Sequence, residues 1–357
     1  MRTNKQLLGE IAGRSGIQVR LGSIFSELPR PLPTGFDFGR IEGMMLGLAI
    51  GDALGETSES FLPSERRERY GEIRNYLGGK GYPSDDSQLA YWTLEQLIED
   101  HSFVPERVLR WFSEDKIFGI GHTVKLALAA FKSGVPWEQC GKPFAGNGAL
   151  MRIAPILIPH LRTPSPELWA DTALCAMITH NDSAAISSAV AFVALLWELL
   201  AMNESPKPEW WASRFVAVLR ELECVDYTPR SPNLKHFPGP LWRLLEQELP
   251  RIYANDLNIS SAFDRWYSGA YLLETVPCAI SILMRYGDEP EEAIIRAVND
   301  TRDNDTIAAI VGAAVGALHG RAGLPRRWIE GLSGRTAAND DGRMFELLDA
   351  ARNLWSA

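Results

Sequence analysis

Two acidic segments lie far apart in the chain. They are Ser84-Asp85-Asp86-Ser87-Gln88 and Asp303-Asn304-Asp305-Thr306, and each stands at the head of an apolar helical run. Their carboxylates and hydroxyls are hard oxygen ligands of the kind that Mg²⁺, Mn²⁺ and Ca²⁺ take, and their number suits a binuclear site. The chemistry this predicts is a two-metal hydrolysis carried out between helices. Taken singly, each segment also reads as ordinary capping. Asp and Ser are favoured N-caps, Asp85 and Gln88 have capping-box spacing, and negative charge suits a helix start. A third acidic segment, Gly51-Asp52-Ala53-Leu54-Gly55-Glu56-Thr57-Ser58-Glu59, moves the balance toward a shared site.

A shared site needs elements that bring these pieces together, and the glycines supply them. Gly43, Gly47, Gly51 and Gly55 recur every four residues, and Gly312, Gly316 and Gly320 repeat that spacing after the last acidic cluster. A glycine inside a helix costs about 1 kcal/mol relative to alanine. Two such stripes therefore predict two buried helices in close backbone contact, with Asp52 brought near the Asp303 cluster. A membrane pair with small-residue faces is the alternative. Neither stretch reaches the roughly 18 uninterrupted apolar residues a span requires.

Around these two, helical periodicity or strong helix formers mark segments 40–55, 86–100, 104–112, 121–133, 167–179, 183–202, 208–222, 240–248, 270–286, 289–298, 306–319 and 343–355. Period-two alternation is scarce. The fold class this predicts is all-α, with one compact domain over residues 40–357. With 46% hydrophobic residues, 357 positions are ample for its core. Residues 1–39 read as an irregular N-terminal arm, punctuated by Gly13, Gly16, Pro29, Pro31, Pro33 and Gly35. Residues 1–40 carry a net charge of +3, against −12 for the remainder. The arm's apolar residues, among them Leu7, Leu8, Ile11, Ile24 and Phe25, predict packing on its own domain or on a partner.

The overall charge of −9 argues against general nucleic-acid binding. Arg2, Lys5 and Glu10 interrupt the first residues, so no signal peptide is expected. Cys140, Cys175, Cys224 and Cys278 are scattered without a CxxC pair. That favours reduced thiols and a cytoplasmic setting.

Three smaller motifs remain. Gly146-Asn147-Gly148-Ala149-Leu150-Met151-Arg152 offers backbone that a phosphate or sugar can approach closely, though taken alone it reads first as a plain turn. Gly119-Ile120-Gly121-His122-Thr123 opens a helix, where an anionic phosphate is favoured. Thr179-His180-Asn181-Asp182 opens another, either as a cap or as a contact to a ligand base.

Jointly and in this order, the motifs resemble the ADP-ribosylglycohydrolase family, also called the dinitrogenase-reductase-activating glycohydrolase family. The family's opening GxxxGxxxGDxxGxxxE is similar to Gly43–Glu59, and its T-D-D-T/S to Ser84–Ser87. Its N-G-x-x-M-R is similar to Asn147–Arg152, and its late G-D-T-D-T to Asp303–Thr306. The resemblance implies an orthogonal helical bundle with two Mg²⁺ or Mn²⁺ ions in a central cleft. It implies Ser84, Asp85 and Asp86 as one half of the metal cage, and Asp303, Asp305 and Thr306 as the other. Glu59 matches an acidic residue near the ribose or second metal. Gly119, Gly121, Asn147 and Gly148 fall where the family holds phosphates and ribose, and His180 near the adenine end. Ser84 replaces the usual Thr but keeps a hydroxyl, and Thr301-Arg302 replace the usual Gly-Gly.

The implied reaction is removal of ADP-ribose from a modified protein, with arginine the foremost acceptor. Asp85, Asp86 or Glu59 would take a proton from water. Acyl transfer lacks support, since no Gly-x-Ser-x-Gly elbow is present. The alternative is an immunity protein whose basic arm blocks an ADP-ribosyltransferase toxin. An arginine transferase recognises guanidinium groups, which the arm carries.

Overall fold

The computed structural model describes residues 2–14, 16–254 and 259–356. Its helices run in chain order as α1 (Asn4–Gly13), α2 (Gly39–Gly55), α3 (Pro63–Tyr70), α4 (Asp85–Asp100), α5 (Pro105–Glu114), α6 (His122–Lys132), α7 (Glu167–Met177) and α8 (Ser183–Ala201). They continue as α9 (Pro208–Leu222), α10 (Leu241–Ala254), α11 (Ile259–Trp266), α12 (Leu272–Tyr286), α13 (Pro290–Asp300), α14 (Asn304–His319), α15 (Arg326–Gly331) and α16 (Arg343–Trp355). Among the described residues the β structure is limited to isolated bridges, Gly81 with Leu332, Gly146 with Tyr271 and Tyr227 with Gly239. The protein is all-α, as the periodicity predicts.

The centre is the antiparallel pair α2 and α14, and the two glycine stripes face each other. A Cβ built on Gly47 would sit 2.1 Å from the Gly312 carbonyl oxygen, and one on Gly312 2.0 Å from that of Gly47. Gly43 meets Gly316 in the same way, and Gly51 meets Ala308. No side chain fits there, so the entropic cost of glycine is offset by backbone contact. The C-terminal end of α2 thereby meets the N-terminal end of α14. There a Cβ on Gly55 would lie 2.5 Å from the Asp305 Cα. Helix α8, almost wholly apolar and buried, packs beside them. Asp182 caps it, its Oδ1 accepting from the backbone N–H groups of Ala184 and Ala185. It alone among the described helices is long and apolar enough to cross a membrane, but 89% of that stretch is buried inside the fold.

Residues 1–39 are less irregular than the punctuation suggests, because Asn4–Gly13 is helical. Thr3 and Gln6 form a capping box at its start, ahead of the first glycine break. Leu7, Leu8, Ile11, Ile17, Val19, Ile24 and Phe25 are all buried. The Asn4 side chain donates to Asp171 Oδ1 at 2.6 Å, and Arg20 N donates to the Leu222 carbonyl at 2.9 Å. Most of the arm's apolar surface is thus spent on the chain's own helices, while Leu21 and Leu28 are exposed. Helices α3, α11 and α15 also escape the sequence pattern. Helix α3 (PSERRERY) has no apolar stripe to detect, and α15 is only 6 residues long.

Candidate active site

The site forms where α2, α4 and α14 converge. Asp52, in the last turn of α2, is fully buried. Its carboxylate accepts from Ser84 N at 2.9 and 3.0 Å, from Ser87 N at 3.0 Å and from Ser87 Oγ at 2.6 Å. Asp52 therefore caps α4 from outside and fixes its first turn against α2. Burial still pushes its pKa up to about 6. On the other side, Asn304 Nδ2 donates to the Gly55 carbonyl, Ser58 Oγ and the Val298 carbonyl, which ties the start of α14 to the end of α2. The buried Arg66 guanidinium donates to the carbonyls of Val298 and Thr301, each at 2.8 Å, and to those of Ser58 and Phe61. It clamps the turn that carries Glu59 to the segment leading into Asp303.

These fixtures gather two acidic triads. In one, oxygens of Asp52, Asp86 and Asp305 lie within 4.8 Å of one another; in the other, those of Glu59, Asp303 and Asp305 do. Asp305 is common to both. Ser84 Oγ and Thr306 Oγ1 both donate to Asp86 Oδ2, at 3.2 and 3.4 Å. Asp86 Oδ1 and Asp305 Oδ1 are buried without a hydrogen-bond partner. A buried carboxylate oxygen left unpaired is costly, and two facing one space call for a cation. The donors are all oxygens, so they fit a hard divalent ion. Both Asp52 oxygens are already engaged by N–H and O–H donors, which makes Asp52 a positioning residue rather than a free ligand.

Crowding shows in the proton affinities. Asp86 is held well above the usual carboxylate range by burial and then by Asp52 and Asp305. Asp305 is raised likewise by burial, Asp303 and Glu59. Burial, with Asp52 next, lifts Asp85 to about 8, and burial lifts Asp303 to about 7. Glu59 is raised by burial and by Glu56. The field that favours protons here equally favours a dication.

Above the triads opens a cleft of about 510 Å³. One part of its wall is the start of α6, where Gly121 N donates to Asp85 Oδ2 at 3.3 Å and Gly119 takes φ of 63°. Another part is the loop at Asn147, held by the bridge between Gly146 and Tyr271. Asn147 Nδ2 donates to Asp303 Oδ2 at 2.5 Å and to Thr275 Oγ1 at 3.0 Å. His180 lies against this loop. A Cβ on Gly148 would fall 2.9 Å from His180 Cε1, so only glycine allows the approach. Arg152 donates to Thr179 Oγ1, whose hydroxyl sits 2.9 Å from His180 Nδ1. Burial and the nearby Arg152 lower the His180 pKa to about 3, so the ring is neutral.

Every residue singled out in the sequence for metal, sugar, phosphate or base contact lines this one cleft. Several contributors gave no sequence signal. Arg230, paired with the buried Glu274 at 2.7 Å, and Arg335 both line the rim. Arg66 lies in a run of charges that reads as a solvated face. Only the Gly-Asp-x-x-Gly spacing pointed to Asp52.

Comparison with known proteins agrees with this geometry. The profile of the ADP-ribosylglycohydrolase family matches residues 34–356. A protein of Archaeoglobus fulgidus is 32% identical over 311 residues, covering 83% of this chain and 92% of its own. The ADP-ribosylarginine hydrolase Tri1 of Pseudomonas putida is 27% identical, covering 82% of this chain and 73% of its own. A solved structure of an ADP-ribosylglycohydrolase-related protein complex superposes with a TM-score of 0.65 at 26% identity, covering 89% of this chain and 98% of that one. The chain belongs to the ADP-ribosylglycohydrolase family.

Proposed function

From that membership, we propose that the protein hydrolyses the bond between ADP-ribose and a modified protein side chain, arginine foremost, with two Mg²⁺ or Mn²⁺ ions as its cofactors. One observation carries the reading: two acidic triads share Asp305 at the floor of a cleft of the right size, with two buried carboxylate oxygens left unpaired. Ser84, Asp85 and Asp86 on one side and Asp303, Asp305 and Thr306 on the other would hold the ions, with Glu59 beside them. When bound, such ions polarise ligand oxygens and lower the pKa of water.

The chain's own groups do the rest. Glu59, the exposed member of its triad, takes the proton of the attacking water on a carboxylate oxygen. Its raised proton affinity brings it closer to working pH, where general bases are most effective. Asp85 is held at the α6 side by Gly121 N. Asn147 holds Asp303 in place, and the neutral His180 ring presents Nε2 beneath the Gly146–Gly148 loop, toward the base end of the ligand. The name of the Pseudomonas putida relative favours arginine as the acceptor.

The test incubates the full chain with Arg- and Ser-ADP-ribosylated proteins, with and without Mg²⁺, and measures free ADP-ribose. Release from arginine that requires the ion supports the reading. Absence of release from either acceptor overturns it.

A further inference from the structure

The cleft is lined by carboxylates, yet one cation on its wall belongs to none of them. Glu56, Glu59, Asp85, Asp86, Asp303 and Asp305 all face the space. Of the two arginines that line it, Arg230 is neutralised by a bidentate pair with buried Glu274, at 2.9 and 2.7 Å. Arg335 has no such partner. Among the described residues no carboxylate pairs with it, and its buried Nε makes no hydrogen bond.

The fold goes to some length to hold this guanidinium. It lies over two aromatic rings, 4.3 Å from the centroid of Phe118 and 4.8 Å from that of Tyr82. Stacking of this kind fixes the plane of the fork and leaves its edge free to donate. The loop that bears it is closed by Asp340, whose carboxylate accepts from Thr336 N, Thr336 Oγ1 and Ala337 N. The bridge between Gly81 and Leu332 keeps Tyr82 alongside. Buried Gln88, on α4, ties both sides together. Its Nε2 donates to the Thr336 carbonyl at 2.8 Å, and its Oε1 accepts from Phe118 N at 2.8 Å. One glutamine next to the acidic cluster thus registers the Arg335 loop and the Phe118 loop against each other.

A cation held rigid, stacked and unpaired inside an acidic cleft is pre-organised for an anion that arrives with the ligand. We infer that Arg335, backed by Phe118 and Tyr82 and positioned through Gln88, is the residue that receives the diphosphate of ADP-ribose. This rests on the functional reading above. The planar fork matches two phosphate oxygens at once. It also screens the ligand's two negative charges from the carboxylates that the ions do not neutralise. The start of α6, reached through Phe118, Gly119 and Gly121, adds N–H groups on the same wall.

The experiment titrates ADP-ribose, ADP and adenosine into the full chain in millimolar Mg²⁺, comparing wild type with R335M and R335K by calorimetry at two salt concentrations. Methionine keeps much of the apolar stem, and lysine keeps a charge without the fork. R335M is expected to weaken ADP-ribose and ADP by about 10- to 100-fold, the range for a lost charged hydrogen bond. Adenosine binding should stay at the wild-type value. R335K should recover part of the loss, and the fall of affinity with salt should be shallower in R335M. Equal weakening of adenosine overturns the inference, because it marks a collapsed wall rather than a lost charge. Undiminished binding of ADP-ribose to R335M also overturns it, while leaving the functional reading intact. Failure of ADP-ribose to bind the wild type overturns that reading, and the inference falls with it.

Discussion

Gly312→Ala puts the central packing to a direct test. On an exposed helix this change stabilises, because alanine is the better helix former by about 1 kcal/mol. At Gly312 the new methyl would sit 2.0 Å from the Gly47 carbonyl oxygen and 2.6 Å from its carbon. Ordinary contact begins near 3.4 Å. The two helices must therefore part by about 1.4 Å, and the obstacle is backbone, which cannot swing aside. Overpacking costs typically about 1–3 kcal/mol, and against immovable backbone the upper end, about 3 kcal/mol, applies. At about 2 °C per kcal/mol for a chain of this size, the melting temperature should drop by roughly 6 °C. The same separation spreads Asp52 and Asp86 from Asp305. A shift of about 1 Å at reacting groups costs on the order of 100-fold in rate. Thermal melts and release of free ADP-ribose measure the two effects. Gly9→Ala is the control, since Gly9 lies within α1 with nothing inside 4 Å of its added Cβ, and it should leave the melt unchanged or raise it. A G312A protein that melts and reacts like wild type would refute the packing argument.

Three further outcomes are expected. Asp305→Asn removes one charge from both triads, so it should raise the melting temperature of the protein in chelator by an amount worth roughly 1 kcal/mol or more, while Mg²⁺ no longer adds stability; a chelated variant less stable than wild type contradicts this. Deleting residues 1–35 exposes partners of Leu7, Leu8 and Ile11, each worth about 1.5–3 kcal/mol when buried, so the truncated chain should melt well below the full one; an unchanged melt would show the arm to be dispensable. Glu223 caps α10 through Leu241 N and Trp242 N, and burial lifts its pKa from 4.5 to about 7. Its folded value lies above the unfolded one, so its contribution is fully present below pH 4.5 and is lost as pH rises to about 7; Glu223→Gln should flatten that part of the stability curve, and an unaltered slope would count against the assignment.

How far the sequence reveals all this depends on the kind of signal. The glycine stripes are legible because a costly residue repeated at helical spacing makes physical sense only where two backbones touch. The acidic clusters are legible as a set, because several hard ligands at helix starts have one natural use together. The arm's helix escapes because its capping box precedes the glycines and prolines that dominate the segment. Arg66 and Arg335 cannot be read. Arg66 sits in a run of charges and Arg335 in a small, polar loop, and what distinguishes them is the surrounding backbone carbonyls or rings, brought in from residues far away in the chain. Arg66 bonds across more than 230 positions to Val298 and Thr301. Arg335 stacks on Phe118 and Tyr82. Such roles belong to the fold and leave no local pattern.

The division of labour also accounts for where the stability resides. Burial raises the proton affinities of Asp52, Asp86, Asp303 and Asp305, and neighbouring carboxylates add to it at the last three, which means that the folded chain opposes their ionisation. Without a cation the site works against folding. The α2–α14 contact, buried and made of interlocking backbone, provides the opposing term directly beneath it. It also brings Asp305 of α14 beside Asp52 of α2. The helix start that bears Asp86 docks on α2 through Asp52, which makes the position of that carboxylate depend on the same contact. A looser pair of helices would relieve the repulsion by letting the carboxylates part, and the oxygens would no longer face one space. Close glycine packing and acidic clustering are therefore two requirements of one site. Weakening the first should show itself in ion affinity before it shows itself in the loss of helical structure.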